Sequence, residues 1–184
     1  FEPPVEGRGE WVNSSVYLFH PQPRLLSAVN YTVTVAGGLA DASGEGAPLA
    51  ADYTWTFSTQ PAAVERLELI LNEQETVEYG DGGSYPSLPV EPRFRLRFMQ
   101  PMDPASVEAA LAMTSGAGEP VRFETAWSGD NQVLEFHPAG RLAPGEAYFL
   151  SLSAAARAAD GGGLARDYSW QLDTVPYPAV LVTR

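Results

Sequence analysis

Apolar and polar residues alternate with a period of two over most of this chain, the pattern of strands that bury one face. Tyr31, Val33 and Val35 share one face, with Thr32 and Thr34 on the other. Tyr53, Trp55 and Phe57 place three ring side chains on one side with Thr54 and Thr56 between them. Phe94, Leu96 and Phe98 repeat the pattern with Arg95 and Arg97 outward. The runs 133–136, 148–152 and 168–172 read the same way. Val64 to Leu71 reads as a further apolar strand, and Val121 to Trp127 as one more.

Turn chemistry separates these runs. Pro21, Gln22 and Pro23 precede the Tyr31 strand, and residues 143–146 (Ala-Pro-Gly-Glu) precede the Tyr148 strand. Residues 41–44 and 160–163, each opened by Asp and closed by Gly, follow those strands; residues 80–84 and 129–131 form further loops. Gly and Asn supply positive φ, and Asp bonds its own backbone. Short strands at this spacing predict an all-β sandwich. One segment breaks the rule: Asp103 at an N-cap position, Pro104 at the first helical position and an Ala-rich run to Leu111 predict a helix of about two turns.

The pattern also repeats. Trp11, Val16, Phe19-His20-Pro21, Leu25, Tyr31, Gly44, Leu49, Asp52-Tyr53-Thr54-Trp55, Phe57 and Thr59 recur in order. Their counterparts are Trp127, Val133, Phe136-His137-Pro138, Leu142, Tyr148, Gly163, Leu164, Asp167-Tyr168-Ser169-Trp170, Leu172 and Thr174. The small drifts in spacing fall in turns, where insertions are tolerated. Duplication is the simplest source of so many ordered matches. It divides the chain into residues 1–60, the C-terminal half of a first domain; 61–175, a complete domain; and 176–184, the start of a following domain or a linker. A half domain exposes apolar surface and strand edges. Residues 1–60 are therefore expected to pack on a neighbouring domain, to self-associate, or to have been separated from residues that complete them.

Composition narrows the chemistry. With 45% hydrophobic residues and 11% aromatics the chain can fill a sizeable core and is not disordered. The net charge of −12, with Arg as the only Lys/Arg-type cation, repels nucleic-acid phosphates and anionic membrane, so neither is an expected partner. No run is long and apolar enough for membrane insertion. The absence of Cys excludes disulfides, thiolate metal sites and Cys nucleophiles.

Candidate chemistry is sparse. His20 and His137 occupy equivalent repeat positions before Pro, where a structural role outweighs metal binding or catalysis. Ser115 and Ser128 lie beside Gly in turns, not in a nucleophile elbow. Asp41, Asp81, Asp130 and Asp160 lie in Gly-rich loops and could supply oxygens to calcium, but their spacing is not that of an EF-hand. The trios Tyr53/Trp55/Phe57 and Tyr168/Trp170/Leu172 could form a carbohydrate platform; recurrence in both copies favours a core role. No catalytic residue, cofactor-binding residue, metal ligand or cofactor is assigned.

The motif Phe98-Met99-Gln100-Pro101-Met102-Asp103 before the helix resembles bacterial Ig-like domains of the SbsA type, known from an S-layer protein. The same holds for Phe136-His137-Pro138, for Leu142-Ala143-Pro144-Gly145 with Tyr148, for residues 160–163, and for the close at Leu172-Asp173-Thr174. The first copy matches from Phe19 to Thr59, without the Pro-Gly pair. The resemblance implies tandem immunoglobulin-like β-sandwich repeats with one short helix per complete repeat. It also implies an extracytoplasmic setting: cell surface, periplasm or secreted. The Trp-rich strands and Arg-only composition further resemble bacterial relatives of α2-macroglobulin, whose thioester needs a Cys; this chain would then flank that site. The expected function is a non-catalytic spacer or protein-interaction module whose partners are neighbouring domains of the same polypeptide and other proteins. The alternative is an adhesin-type module that binds a glycan or another ligand, and a hydrolase would need a clustered carboxylate pocket.

Overall fold

The computed structural model describes residues 1–40 and 46–176. The chain divides into two compact units, Phe1–Pro61 and Ala62–Arg184.

The first unit holds two antiparallel hairpins. β1 (Gly7–Asn13) pairs with β2 (Val16–Pro21), and β3 (Asn30–Val35) pairs with β4 (Tyr53–Ser58). Each hairpin is a two-stranded sheet. A short bridge adds Glu2 to the outer edge of β3 opposite Thr32. Two-stranded sheets are marginal alone, so local bonds do much of the ordering here. Tyr31 and Val33 are the buried hydrophobics of this unit among the described residues; Phe1 and Phe19 lie 4.9 Å apart between ring centroids.

The second unit is a two-layer β-sandwich. Its strands are β5 (Val64–Ile70), β6 (Thr76–Tyr79), β7 (Ser84–Leu88), β8 (Arg93–Phe98), β9 (Leu111–Ser115), β10 (Pro120–Val121), β11 (Phe123–Ser128), β12 (Val133–Pro138), β13 (Ala147–Leu152) and β14 (Tyr168–Thr174). One sheet has the order β10-β9-β13-β14-β7, the other β11-β12-β8-β5-β6. All pairings between these strands are antiparallel except β7 on β14, which is parallel; an isolated bridge of Ala62 with Leu164 is parallel as well. The inward residues of the two sheets form one core. Phe94, Leu96, Leu134 and Phe136 come from one layer, and Leu150, Leu152, Trp170 and Leu172 from the other. Burial of such side chains stabilises by about 1.5–3 kcal/mol each.

The single helix among the described residues, α1 (Pro104–Ala110), links the sheets. Seven residues are too few to hold a helix in water, and tertiary anchors supply the rest. Val107 is buried in the core. The Ser106 hydroxyl donates to the Asp103 carbonyl and accepts the Arg157 N–H at 2.9 Å. Glu108 accepts bonds from Trp127 Nε1 at 2.9 Å and Thr125 Oγ1 at 3.0 Å. Asp103 sits at the N-cap position, but its side chain makes no cap bond, in contrast to the sequence expectation.

Two further differences from the sequence pattern appear. The run 121–127 is not one strand: it leaves one sheet after Val121 and enters the other at Phe123, with Arg122 at the crossing. Alternation persists through the switch because both layers face the same core. β6, β7 and β9 carry weaker alternation and were not apparent from the pattern; β7 contains Pro86 and a left-handed Ser87, tolerable in an edge strand. The turn at 41–44 and the segment from Tyr177 lie outside the described residues.

Candidate functional site

A corner with Tyr and Thr at its centre is built in both units at matching repeat positions, although the turn sequences 25–31 and 142–148 share only Leu and Tyr. In the second unit the Tyr148 hydroxyl accepts the Ala143 N–H at 2.9 Å. Thr174 Oγ1 accepts the Glu146 N–H at 2.9 Å and donates to the Ala143 carbonyl at 2.7 Å. In the first unit the Tyr31 hydroxyl accepts from Leu26 at 3.0 Å, and Thr59 Oγ1 accepts from Val29 at 3.0 Å and donates to Leu26 at 2.6 Å. The turn needs a left-handed residue: Gly145 has φ 71, and Ala28 takes φ 58 in its place. Asp52 and Asp167 likewise each accept a main-chain N–H, from Gly37 at 2.8 Å and from Ala154 at 2.6 Å.

The faces above these corners differ. Tyr168, Trp170 and Leu172 are buried, and Trp170 Nε1 donates to the Tyr79 carbonyl at 3.1 Å inside the core. The core role expected for this trio therefore holds. For Tyr53/Trp55/Phe57 it does not: Tyr53 is 62% exposed and Trp55 43%, against 2% for Trp170. The opposite hairpin repeats the contrast, with Trp11 63% exposed and Tyr17 54% exposed. The first unit thus presents rings Trp11 and Tyr17, 5.1 Å apart, and Tyr53 and Trp55, 5.8 Å apart, to solvent. The physical cause is missing strands: β2 and β4 each have a partner on one edge only among the described residues, so each face is open where a full sheet would continue.

The second unit carries its charge on the outer face of the β11-β12-β8-β5-β6 sheet. Glu68 on β5 is buried and lies 3.2 Å from Arg66 Nε; Arg97 Nε donates to it at 3.1 Å. Arg95 donates to Glu135 on β12 at 2.7 and 2.9 Å. These carboxylates are engaged by guanidinium groups within the sheet, which suits a rigid surface rather than proton transfer. The sequence alternation places Arg95 and Arg97 outward but could not show their partners, because the register of β5 against β8 is a tertiary fact.

An open cleft of about 460 Å³ lies beside this lattice, lined by Glu91, Arg93, His137 and Arg141 among others. His137 is within 3.1 Å of the Pro138 carbonyl and 3.7 Å of Glu124. His20 meets Glu10 at 3.1 Å in the first unit, so each His has its own local carboxylate. Asp81 accepts the Ser169 N–H at 2.8 Å and an Arg166 bond, and the Arg166 guanidinium also covers the Tyr168 ring at 4.4 Å. Burial pushes the Asp81 carboxyl up, but bonds from Ser169 and Arg166 outweigh it and hold the group below the usual carboxylate range. Asp160 accepts the Gly162 N–H at 2.8 Å, closing its own turn. Asp130 lies in a turn of three left-handed residues, Gly129 to Asn131, and Asp41 is outside the described residues. The Ser115 hydroxyl accepts the Glu119 N–H, as a turn residue would. Among the described residues no group of three or more His, Asp or Glu is placed to hold a metal ion, and no helix is long and apolar enough to cross a membrane.

The sequence profile of the bacterial Ig-like domain matches residues 2–59 and 84–174. No curated protein sequence matches the chain. Among solved structures the chain is similar to the N-terminal part of the bacterial S-layer protein SbsC, at 13% identity and a TM-score of 0.41, over 62% of this chain and 24% of that one. It is also similar to native α2-macroglobulin from Escherichia coli spanning domains MG0-NIE-MG1, at 14% identity and a TM-score of 0.43, over 63% of this chain and 32% of that one. The chain therefore spans less than a third of either structure.

Proposed function

The chain belongs to the bacterial Ig-like domain family, and from that premise we propose that it is a non-catalytic spacer or interaction module of a larger bacterial extracytoplasmic protein. A flanking region of an α2-macroglobulin-like protease trap is one such setting. The observation that carries the reading is that the family match falls on both units, as expected for domains in series. In this reading residues 1–60 are the C-terminal half of one Ig-like domain, residues 61–175 a whole one, and residues 176–184 the start of a following domain or a linker.

The second unit also suits mechanical duty. Its first residues pair in parallel with the approach to its last strand: Ala62 donates to the Gly163 carbonyl and accepts from Ala165. β7 then runs parallel to β14. A pull on β14 along its own axis loads these main-chain bonds in shear, so several must break together. Single-molecule force spectroscopy between residues 62 and 175 tests this. One cooperative rupture of the whole unit is expected, while progressive peeling at low force would remove the load-carrying role.

The alternative is a glycan-binding module, favoured by the exposed Tyr53 and Trp55 rings. Aromatic faces of this kind can stack on sugar rings. Glycan-array binding that disappears in Trp55→Ala would establish it; a silent array would dismiss it.

A further inference from the structure

The second unit shows what covers, in a complete sandwich, the positions that the first unit leaves open. Glu2 and Thr32 exchange two main-chain bonds, each 2.8 Å. The residue equivalent to Thr32 is Phe149, which pairs with Thr114 of β9. Residues 1–3 therefore occupy the place of β9, and β1, β2, β3 and β4 take the places of β11, β12, β13 and β14. Residues 62–112, with β5 to β8 and α1, have no counterpart in the first unit.

The two strand edges left open have defined requirements. In the second unit β8 lies antiparallel on β12, with Leu96 opposite Leu134 and Phe94 opposite Phe136. The matching positions on β2 are Tyr17 and Phe19. β7 lies parallel on β14, with Tyr85 opposite Leu172. The matching position on β4 is Phe57.

We propose that the first unit is a docking surface for a segment of the same polypeptide, patterned like residues 62–112, which adds an antiparallel strand to β2 and a parallel strand to β4. That segment carries apolar residues at the positions facing Tyr17, Phe19 and Phe57 and covers Trp11, Tyr53 and Trp55. A second copy of the chain fits poorly. A two-fold dimer joins β2 to β2 and β4 to β4 in antiparallel fashion, so it offers no parallel strand to β4. A bound sugar would cover the rings but leave the main-chain groups of both edges unpaired. The docking surface exists whether the whole protein acts as a spacer or as an adhesin.

Hydroxyl-radical footprinting with mass spectrometry tests this on the 184-residue chain and on a version with a second copy of residues 62–112 fused ahead of Phe1. In the 184-residue chain Trp11, Tyr17, Tyr53 and Trp55 should label several-fold faster than Tyr168 and Trp170, and the mass in solution should be that of one chain. In the lengthened chain their labelling should fall towards that of Trp170, and the amides of β2 and β4 should gain hydrogen-exchange protection. Phe94→Asp with Leu96→Asp in the added copy alone should restore fast labelling. Slow labelling of the four rings in the unextended chain would overturn the proposal: as a monomer, the unit covers itself; as a dimer, the partner is a second copy. Unchanged labelling in the lengthened chain would overturn it as well.

Discussion

Thr59 and Thr174 make the same hydrogen bonds to the same kind of turn, yet one is half-exposed at the end of a two-stranded sheet and the other is buried at the end of a five-stranded one. Tyr31 and Tyr148 show the same likeness, and both are buried. The likeness stops at the aromatic faces, where Trp55 and Trp170 occupy equivalent strand positions and differ in burial, because the first unit lacks the strands that cover Trp170 in the second. Corners in this protein are local objects that form from a few consecutive residues and one cross-strand Thr. Faces are tertiary objects, and their energy comes from the opposing sheet.

That comparison can be broken most directly at the two tryptophans. Trp170→Ala should cost the second unit about 3–5 kcal/mol, from lost packing and a cavity. Trp55→Ala should cost the first unit less, about 1–2 kcal/mol, as for a ring that is 43% exposed and loses only part of a buried side chain's packing. Urea unfolding of each variant measures both; equal costs would mean that Trp55 is covered in solution. The corner Thr is a smaller test. Thr174→Val should cost about 1–3 kcal/mol, since it leaves the Glu146 N–H and the Ala143 carbonyl without their partner. Thr59→Val should cost less, because water can reach the freed groups.

The turn residues sharpen the comparison further. A Cβ at Gly145 would meet nothing closer than Pro176 Cα at 3.7 Å, so Gly145→Ala carries only the left-handed strain, about 1–2 kcal/mol. Ala28→Gly relieves the same strain in the first unit and should slow hydrogen exchange around Val29 and Thr59. The smallest expected effect is at Asp81. Its folded pKa lies below the unfolded value, so its contribution is complete above the ordinary carboxylate pKa of about 3.9 and is lost as the pH falls through the folded value. Asp81→Asn should therefore lower the thermal midpoint slightly at neutral pH and flatten its fall in acid. Exposure of Arg166 keeps the change small.

Much of the second unit was legible from alternation. The strand at 94–98 and those beginning at Val133, Tyr148 and Tyr168 bury the faces that the pattern assigns to them. β6, β7 and β9 were not legible, because short or edge strands gain their order from neighbours rather than from their own sequence. The crossing at Arg122 was hidden for a related reason: alternation reports which side chains face the core, not which sheet the backbone belongs to. Glu68 was equally silent. Its place among Arg66, Arg95 and Arg97 depends on the register of β5 against β8.

By itself the sequence determined the all-β class, the alternating faces, the short helix at Pro104 and the recurrence of Tyr and Thr at matching positions. The first three follow from residues near one another in the chain, through side-chain direction and turn φ; that the recurring Tyr and Thr meet in a corner depends on strand pairing, since Thr59 and Thr174 reach main-chain groups far away in the chain. Only the tertiary structure decided which of two nearly identical aromatic faces is a core and which is open surface. Trp55 and Trp170 have closely similar local sequences around them, each with Asp-Tyr before and Thr four residues after. Their burial is set by strands elsewhere in the chain, which the second unit has and the first unit lacks.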